Sequence, residues 1–201
     1  METTRTGEIY GDNPENSHIS LKVVDVDSEN GVMHGFEFLQ PLLNQFELYY
    51  QDHFMRDGIP DPSNYSEWLS MILKFIHHKS PWFFAVTVND ELQGCLWVNN
   101  WETQGENYYS CEFSGFAFPD VNPASTCKAI QLLTSTIFRE TTVFIARTVS
   151  KEGNRAAQIA ARRAGYSHPE SMRAWQVRGG EPITGIISSI TRPEFEACGQ
   201  K

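Results

Sequence analysis

NRAAQIAARRAGY, residues 154–166, is the stretch on which the reading of this chain turns. Asparagine is among the favoured N-cap residues, alanine is the best helix former, and glycine closes helices in the left-handed conformation. The stretch therefore predicts a helix from Asn154 to Ala164, closed by Gly165, with Tyr166 packing into the next strand. Lys151–Gly153 reads as the turn that precedes it, and residues 142–149 (TVFIARTV) as a short strand before the turn. Asn154 thus stands where a strand passes into a helix, at a helix N-terminus facing a cleft beside the sheet. Its amide can both donate and accept hydrogen bonds.

Working toward the N-terminus, Ile130, Leu133, Ile137 and Phe138 recur at helical spacing, and residues 124–139 read as a helix after a loop bracketed by Pro119 and Pro123. Before that loop lie three strand candidates, 82–88 (WFFAVTV), 92–101 (LQGCLWVNNW) and 108–118 (YYSCEFSGFAF). The tight turn Asn89-Asp90-Glu91 and the polar stretch ETQGEN (102–107) join them into an antiparallel meander. Tyr65 to His78 reads as a helix, capped by Ser63 or Asn64 and preceded by a Gly- and Pro-rich loop at 57–64. Phe36, Leu39, Leu43, Phe46 and Tyr50 mark another helical stripe over 33–54, interrupted at Pro41. Residues 19–27 (ISLKVVDVD) read as a strand, and residues 1–18 as an N-terminal arm before a single domain spanning 19–201. Beyond Tyr166, strands are expected at 172–177 and 183–190, with a Gly-Gly turn between them. The order β-α-α-β-β-β-α-β-α-β-β is that of an α/β domain with a mixed, mostly antiparallel sheet rather than a doubly wound parallel one.

The order and the 154–166 motif together resemble the GNAT superfamily of acyl-CoA-dependent N-acyltransferases over about residues 19–190. Asn154, Ala157, Gly165 and Tyr166 match the late helix of that family, which commonly carries an Asn, an Ala three residues on, a Tyr four after that, and a Gly-aromatic pair at its end. The resemblance implies a GNAT-like sheet flanked by helices, and acetyl-CoA or another acyl-CoA as donor. It implies an amine of a small molecule or protein as acceptor. The donor would lie between the third meander strand and the strand at 142–149, with Asn154 turned toward the pantetheine arm. An ordinary N-cap is the other role for Asn154, and the two are compatible.

Two departures bear on activity. The family's donor loop usually carries an Arg or Gln and small residues, so that backbone N–H groups at a helix start cradle a pyrophosphate. Here the equivalent run, 118–130 (FPDVNPASTCKAI), has no Gly and no Arg; Pro123 removes a donor and Asp120 adds negative charge. Ser125, Thr126 and Lys128 are partial substitutes as cofactor-binding residues, or else form an ordinary first helical turn. The second departure is Ala161, at the position of the family's frequent general acid, a tyrosine; an alanine cannot protonate a leaving thiolate.

Acylation of an amine needs a base. Glu112, on the third meander strand between Cys111 and Phe113, is the candidate catalytic residue, its alternative being a solvated carboxylate on the strand face. Tyr108, Tyr109, Trp97 and Trp101 are candidates for an acceptor pocket, or for core. Arg162 and Arg163 read as a solvated helix face.

Composition narrows the classes. The 201-residue chain has 25 acidic against 16 basic residues, a net charge of −9, and 12% aromatics. That is enough aromatic residue for a packed core, and too little positive charge for a general nucleic-acid binder. The N-terminal residues lack the apolar core of a secretory signal, and no run of 18 apolar residues occurs, so a cytoplasmic protein is expected. Four cysteines, Cys95, Cys111, Cys127 and Cys198, show no zinc spacing and read as reduced thiols. No metal motif, P-loop, nucleophile elbow or Rossmann fingerprint is present.

Two functions follow. One is an N-acyltransferase with a degenerate donor loop. The other is a catalytically inactive GNAT-fold binding or assembly protein, acting through a protein partner or as a homo-oligomer. The sequence is also similar to compact acidic GNAT-like proteins of tailed bacteriophages, some of them associated with head assembly. That resemblance would place the protein in the host cytoplasm or the virion.

Overall fold

The computed structural model describes residues 8–12, 18–24, 65–79, 81–118, 120–178 and 180–199. In chain order these form β1 (Glu8–Asp12), β2 (His18–Val23), α1 (Tyr65–Lys79), β3 (Phe83–Val88), β4 (Glu91–Gln104), β5 (Asn107–Ala117), α2 (Pro123–Glu140), β6 (Ile145–Lys151), α3 (Arg155–Arg163), β7 (Ser167–Arg178), β8 (Glu181–Thr191) and α4 (Arg192–Gly199). The helical stripe expected at 33–54, its break at Pro41, and the capping loop at 57–64 lie outside the described residues.

The eight strands form one sheet in the order β1-β2-β3-β4-β5-β6-β8-β7. Every neighbouring pair is antiparallel except β5 and β6, which run parallel. The mixed, mostly antiparallel sheet is the one the element order implied. Its meander is set by two tight turns. Asn89 and Asp90 both have positive φ (51° and 65°), the I′ geometry whose twist matches the strands it joins. Gly105 (φ 64°) opens the second turn, across which Gln104 pairs with Asn107. This corrects the expected loop at 102–107: the strands run through it to a two-residue turn of the II′ kind, whose first central position favours glycine.

Alternation along the strands sends successive side chains to opposite faces. Leu21, Phe84, Val86, Val98, Cys111 and Phe113 belong to one core cluster with Leu133 and Ile137 of α2 and Ala160 and Ala161 of α3. On the other face Phe83 stacks on Trp97 at 5.8 Å, and Phe75 of α1 meets Trp97 edge-on at 5.3 Å. Trp97 is therefore core rather than acceptor pocket. Tyr108 and Tyr109 are exposed, the first against Trp101 and the second stacked on Phe144.

Two elements differ from expectation at the ends. Glu8–Asp12, within the expected arm, pairs with β2 as the edge strand of the sheet. Arg192–Gly199 forms a helix where the sequence reading placed none. It starts with a capping box: the Glu194 carboxylate accepts from the Thr191 backbone N–H at 2.8 Å, and Thr191 Oγ1 accepts from the Glu194 N–H at 3.4 Å.

All four cysteines are free, and Cys198 alone is exposed. Cys95 and Cys111 sit on adjacent strands but on opposite faces, so proximity along the sheet gives them no bond. Burial pushes the Cys111 thiol up to about 12 and raises those of Cys95 and Cys127 as well. A thiol that stays protonated and enclosed does not react. In a native-state titration with an aromatic disulfide, Cys198 should react rapidly and the other three only after denaturant is added. Two or more fast thiols would contradict this packing.

Candidate functional site

The parallel contact between β5 and β6 is short. Ser110, Cys111, Glu112 and Phe113 pair with Ile145, Ala146, Arg147 and Thr148, and past these the strands continue without pairing to Ala117 and Lys151. The sheet therefore opens into a V between Ser114–Ala117 and 149–151. A cavity of about 430 Å³ fills the V. β5 and β6 form its sides, and α2 and α3 approach it with their N-terminal halves.

Asn154 lies where the sequence placed it, on the cavity wall at the start of α3. Its Oδ1 accepts from the Ala157 N–H at 3.2 Å, which makes it the N-cap. The far end of α3 closes as a Schellman motif: Gly165 N–H donates to Arg162 O (3.1 Å) and Tyr166 N–H to Ala161 O (3.0 Å), with Gly165 at φ 104°. These bonds hold the 154–166 stretch in register against the sheet. Its inner alanines, Ala157, Ala160 and Ala161, line the cavity, and their small size keeps it open. Arg162 and Arg163 are exposed, as a solvated face requires.

Ser125 and Thr126 line the cavity from the first turn of α2, whereas Lys128 does not. Pro123 occupies the first position of α2 and has no N–H. Asn122 is the N-cap: its Oδ1 accepts from Ala124 N–H (2.9 Å), and its carbonyl accepts from the N–H of Ser125 (2.9 Å) and Thr126 (3.3 Å). The donors that the first turn of a helix normally leaves open are here used by the chain itself.

Glu112 does not line the cavity. It stands opposite Asn99 on β4 and Arg147 on β6, one pair before the last rung of the ladder. By alternation it shares its face with Ser114, which does line the cavity. Asn100 Nδ2 donates to its Oε2 at 3.2 Å. Beside it, Glu102 accepts from the Ser110 hydroxyl and from Arg147 Nη1 (3.0 Å), and the Ser110 bond holds its carboxyl below the usual range, Arg147 adding to the effect.

Ala161 is buried on the cavity wall, so no hydroxyl stands at that position. The buried Tyr166 hydroxyl does not replace it. It bonds Thr134 Oγ1 at 2.7 Å, and burial raises its pKa far above the ordinary tyrosine value. Sequence reasoning missed Thr148, Ser150, Lys151, Gln158 and Trp175, all of which line the cavity. The period-2 spacing of Thr148 and Ser150, and the i,i+4 spacing of Asn154 and Gln158, are the signals that place them on one face. Among the described residues, no group of His, Cys, Asp and Glu could hold a metal ion, and no helix is long and apolar enough to cross a membrane.

No protein-family model matches the sequence, and no curated protein does. Solved structures match well. A protein from Chromobacterium violaceum, described as a probable acetyltransferase of the GNAT family, superposes with a TM-score of 0.66 at 18% identity, covering 97% of this chain and 96% of its own. The self-immunity acetyltransferase MccE, in complex with acetyl-CoA and AMP, gives 0.65 at 15% identity over 86% and 92%. Spermidine N-acetyltransferase from Vibrio cholerae, in complex with CoA and spermine, gives 0.65 at 13% identity over 89% and 98%. The chain thus has the fold of the GNAT acetyltransferases, in agreement with the fold the sequence implied.

Proposed function

We propose that the protein is an acyl-CoA-dependent N-acyltransferase. The donor occupies the V between β5 and β6, and the acceptor amine approaches from the sheet face that carries Glu112. The observation that carries this reading is the parting of the two strands after four residue pairs around an open cavity of about 430 Å³. A volume of that order suits one extended small-molecule ligand.

Asn154, Ser125 and Thr126 hold the donor arm. When bound, the donor supplies a thioester whose carbonyl carbon accepts an amine nitrogen, with the C–S bond broken and the thiol released. Glu112 takes the proton that the amine must lose, directly or through one water. The absence of a hydroxyl at Ala161 is tolerable, because a thiol of ordinary acidity, pKa about 8.5, leaves as a thiolate without a proton donor. The acceptor is an amine of a small molecule or of a protein, and the reaction takes place in the cytoplasm.

The test is a thermal-shift titration with acetyl-CoA. A ligand that binds only the folded state stabilises it by about 2.7 kcal/mol at a hundred times its Kd. A saturable rise in midpoint is expected, and no rise at millimolar acetyl-CoA removes this reading.

One observation favours a second reading, that of a GNAT-fold binding or assembly protein, such as a virion-associated protein of a tailed bacteriophage. The first-turn donors of α2 are internally satisfied, as in a helix that no longer receives an anion. Under this reading purified protein would show no thiol release with any amine.

A further inference from the structure

The polar groups at the mouth of α2 are arranged for a neutral ligand. Ser125 is 3% exposed and lines the cavity. Of the six buried polar residues among those described, Ser20 and Thr87 bond each other, Ser110 bonds Glu102, Thr134 bonds Tyr166, and Thr136 bonds Leu132. Among the described residues, the Ser125 hydroxyl alone of the six has no hydrogen-bond partner. Buried hydroxyls are nearly always paired, because leaving one unpaired forfeits its hydration without return. A hydroxyl left open on a cavity wall is a place for a ligand's carbonyl or N–H.

The same wall offers little to a polyanion. Pro123 has no N–H, and Asn122 consumes those of Ala124, Ser125 and Thr126. At α3, Gly153 O takes the Arg155 N–H (2.8 Å) and Asn154 Oδ1 takes that of Ala157. Lys151 is the one cationic side chain lining the cavity among the described residues, and at the start of α3 the Ala156 N–H is the donor left for an anion. Asn154, Gln158, Thr126 and Ser125, polar groups on the same wall, are uncharged. A chain with a net charge of −9 also repels a polyanionic ligand as a whole.

We propose that this site recognises its donor by the neutral, amide-bearing pantetheine arm of a thioester, through Ser125 and Asn154, and gains little from the nucleotide and its phosphates. The inference rests on the donor reading above and widens its donor class from acyl-CoA to pantetheine thioesters in general.

The experiment compares two probes by titration calorimetry on the full chain, acetyl-CoA and S-acetyl-pantetheine. Their dissociation constants should agree within about tenfold, a difference of about 1.4 kcal/mol. Acetyl-CoA binding more than tenfold tighter overturns the inference and leaves the donor reading standing, whereas binding of neither probe overturns both. Ser125→Ala should weaken both probes alike, by about fivefold, the worth of one neutral hydrogen bond. Its unliganded unfolding midpoint should not fall, since no internal bond is lost. A lowered midpoint with both affinities unchanged would make Ser125 structural and sink the proposal.

Discussion

Glutamine in place of Glu112 should lower the rate of acyl transfer by about 100-fold or more, the usual contribution of a positioned base. The substitution preserves shape, and the new Oε1 can still accept from Asn100 Nδ2, as Glu112 Oε2 does at 3.2 Å. The pairing of residue 112 with Asn99 and Arg147 is through the backbone and is unaffected. What is lost is the capacity to take a proton. Donor affinity and unfolding midpoint should therefore stay at the parent values while kcat, followed by thiol release, collapses. Because Glu112 stands off the cavity wall, its action requires the amine to reach the V from the face on which Ser114 opens into it. A variant that turns over at the parent rate removes Glu112 as the base.

The largest stability loss should come from Arg192→Ala. Arg192 begins α4, and its guanidinium donates to the carbonyls of Phe138, Thr141 (3.0 Å) and Val143 (2.7 Å). Phe138 O and Thr141 O belong to the last turn of α2 and its cap, where carbonyls lack helical partners. The guanidinium carbon also lies 5.2 Å from the Phe138 ring centroid, within cation–π range. Hydrogen bonds from a charged donor contribute about 1.5–3 kcal/mol each, and these share one side chain, so a total loss of about 3 kcal/mol is expected. The urea midpoint should fall with its slope unchanged. Arg192→Lys should recover only part, since a compact ammonium lacks the planar fork that spans carbonyls on three residues. A loss below about 1 kcal/mol for the alanine variant would show that water replaces the guanidinium at these carbonyls.

How much of this was legible depends on how local each signal is. The 154–166 stretch announced its helix, N-cap and C-cap correctly, because Asn154, the alanines and Gly165 act within a few residues of one another. The hairpin at Gly105-Glu106 reads as a loop in sequence because polar side chains cover strands that leave the core. The Gly-X dipeptide that defines the turn was nevertheless present. The helix at Arg192 lacks an apolar stripe to mark it in sequence, though Thr191-x-x-Glu194 spells its capping box.

The site was harder. That Asn154, Ser125 and Thr126 stand at helix starts is legible because Pro and Gly mark those starts in the sequence, and all three line the cavity. The exclusion of Lys128 depends on which way one turn of α2 points, and the exclusion of Glu112 from the cavity wall depends on where β5 and β6 separate. Both are long-range outcomes of packing. The capture of the α2 donors by Asn122 is a rotamer choice, beyond the reach of a pattern that shows only an Asn before a Pro.

The parting of β5 and β6 also bears on how the protein avoids self-association. An open sheet has two edge strands, among the described residues β1 and β7. This one carries two more in its interior, the unpaired flanks of β5 after Phe113 and of β6 after Thr148. Unpaired flanks are templates for another chain, and here the N-terminal halves of α2 and α3 shield them. α3 is only nine residues long and docks largely through alanines. Fraying of that one short helix would bare strand edges at the centre of the sheet, which makes the 154–166 stretch a guard against aggregation as well as a wall of the cavity.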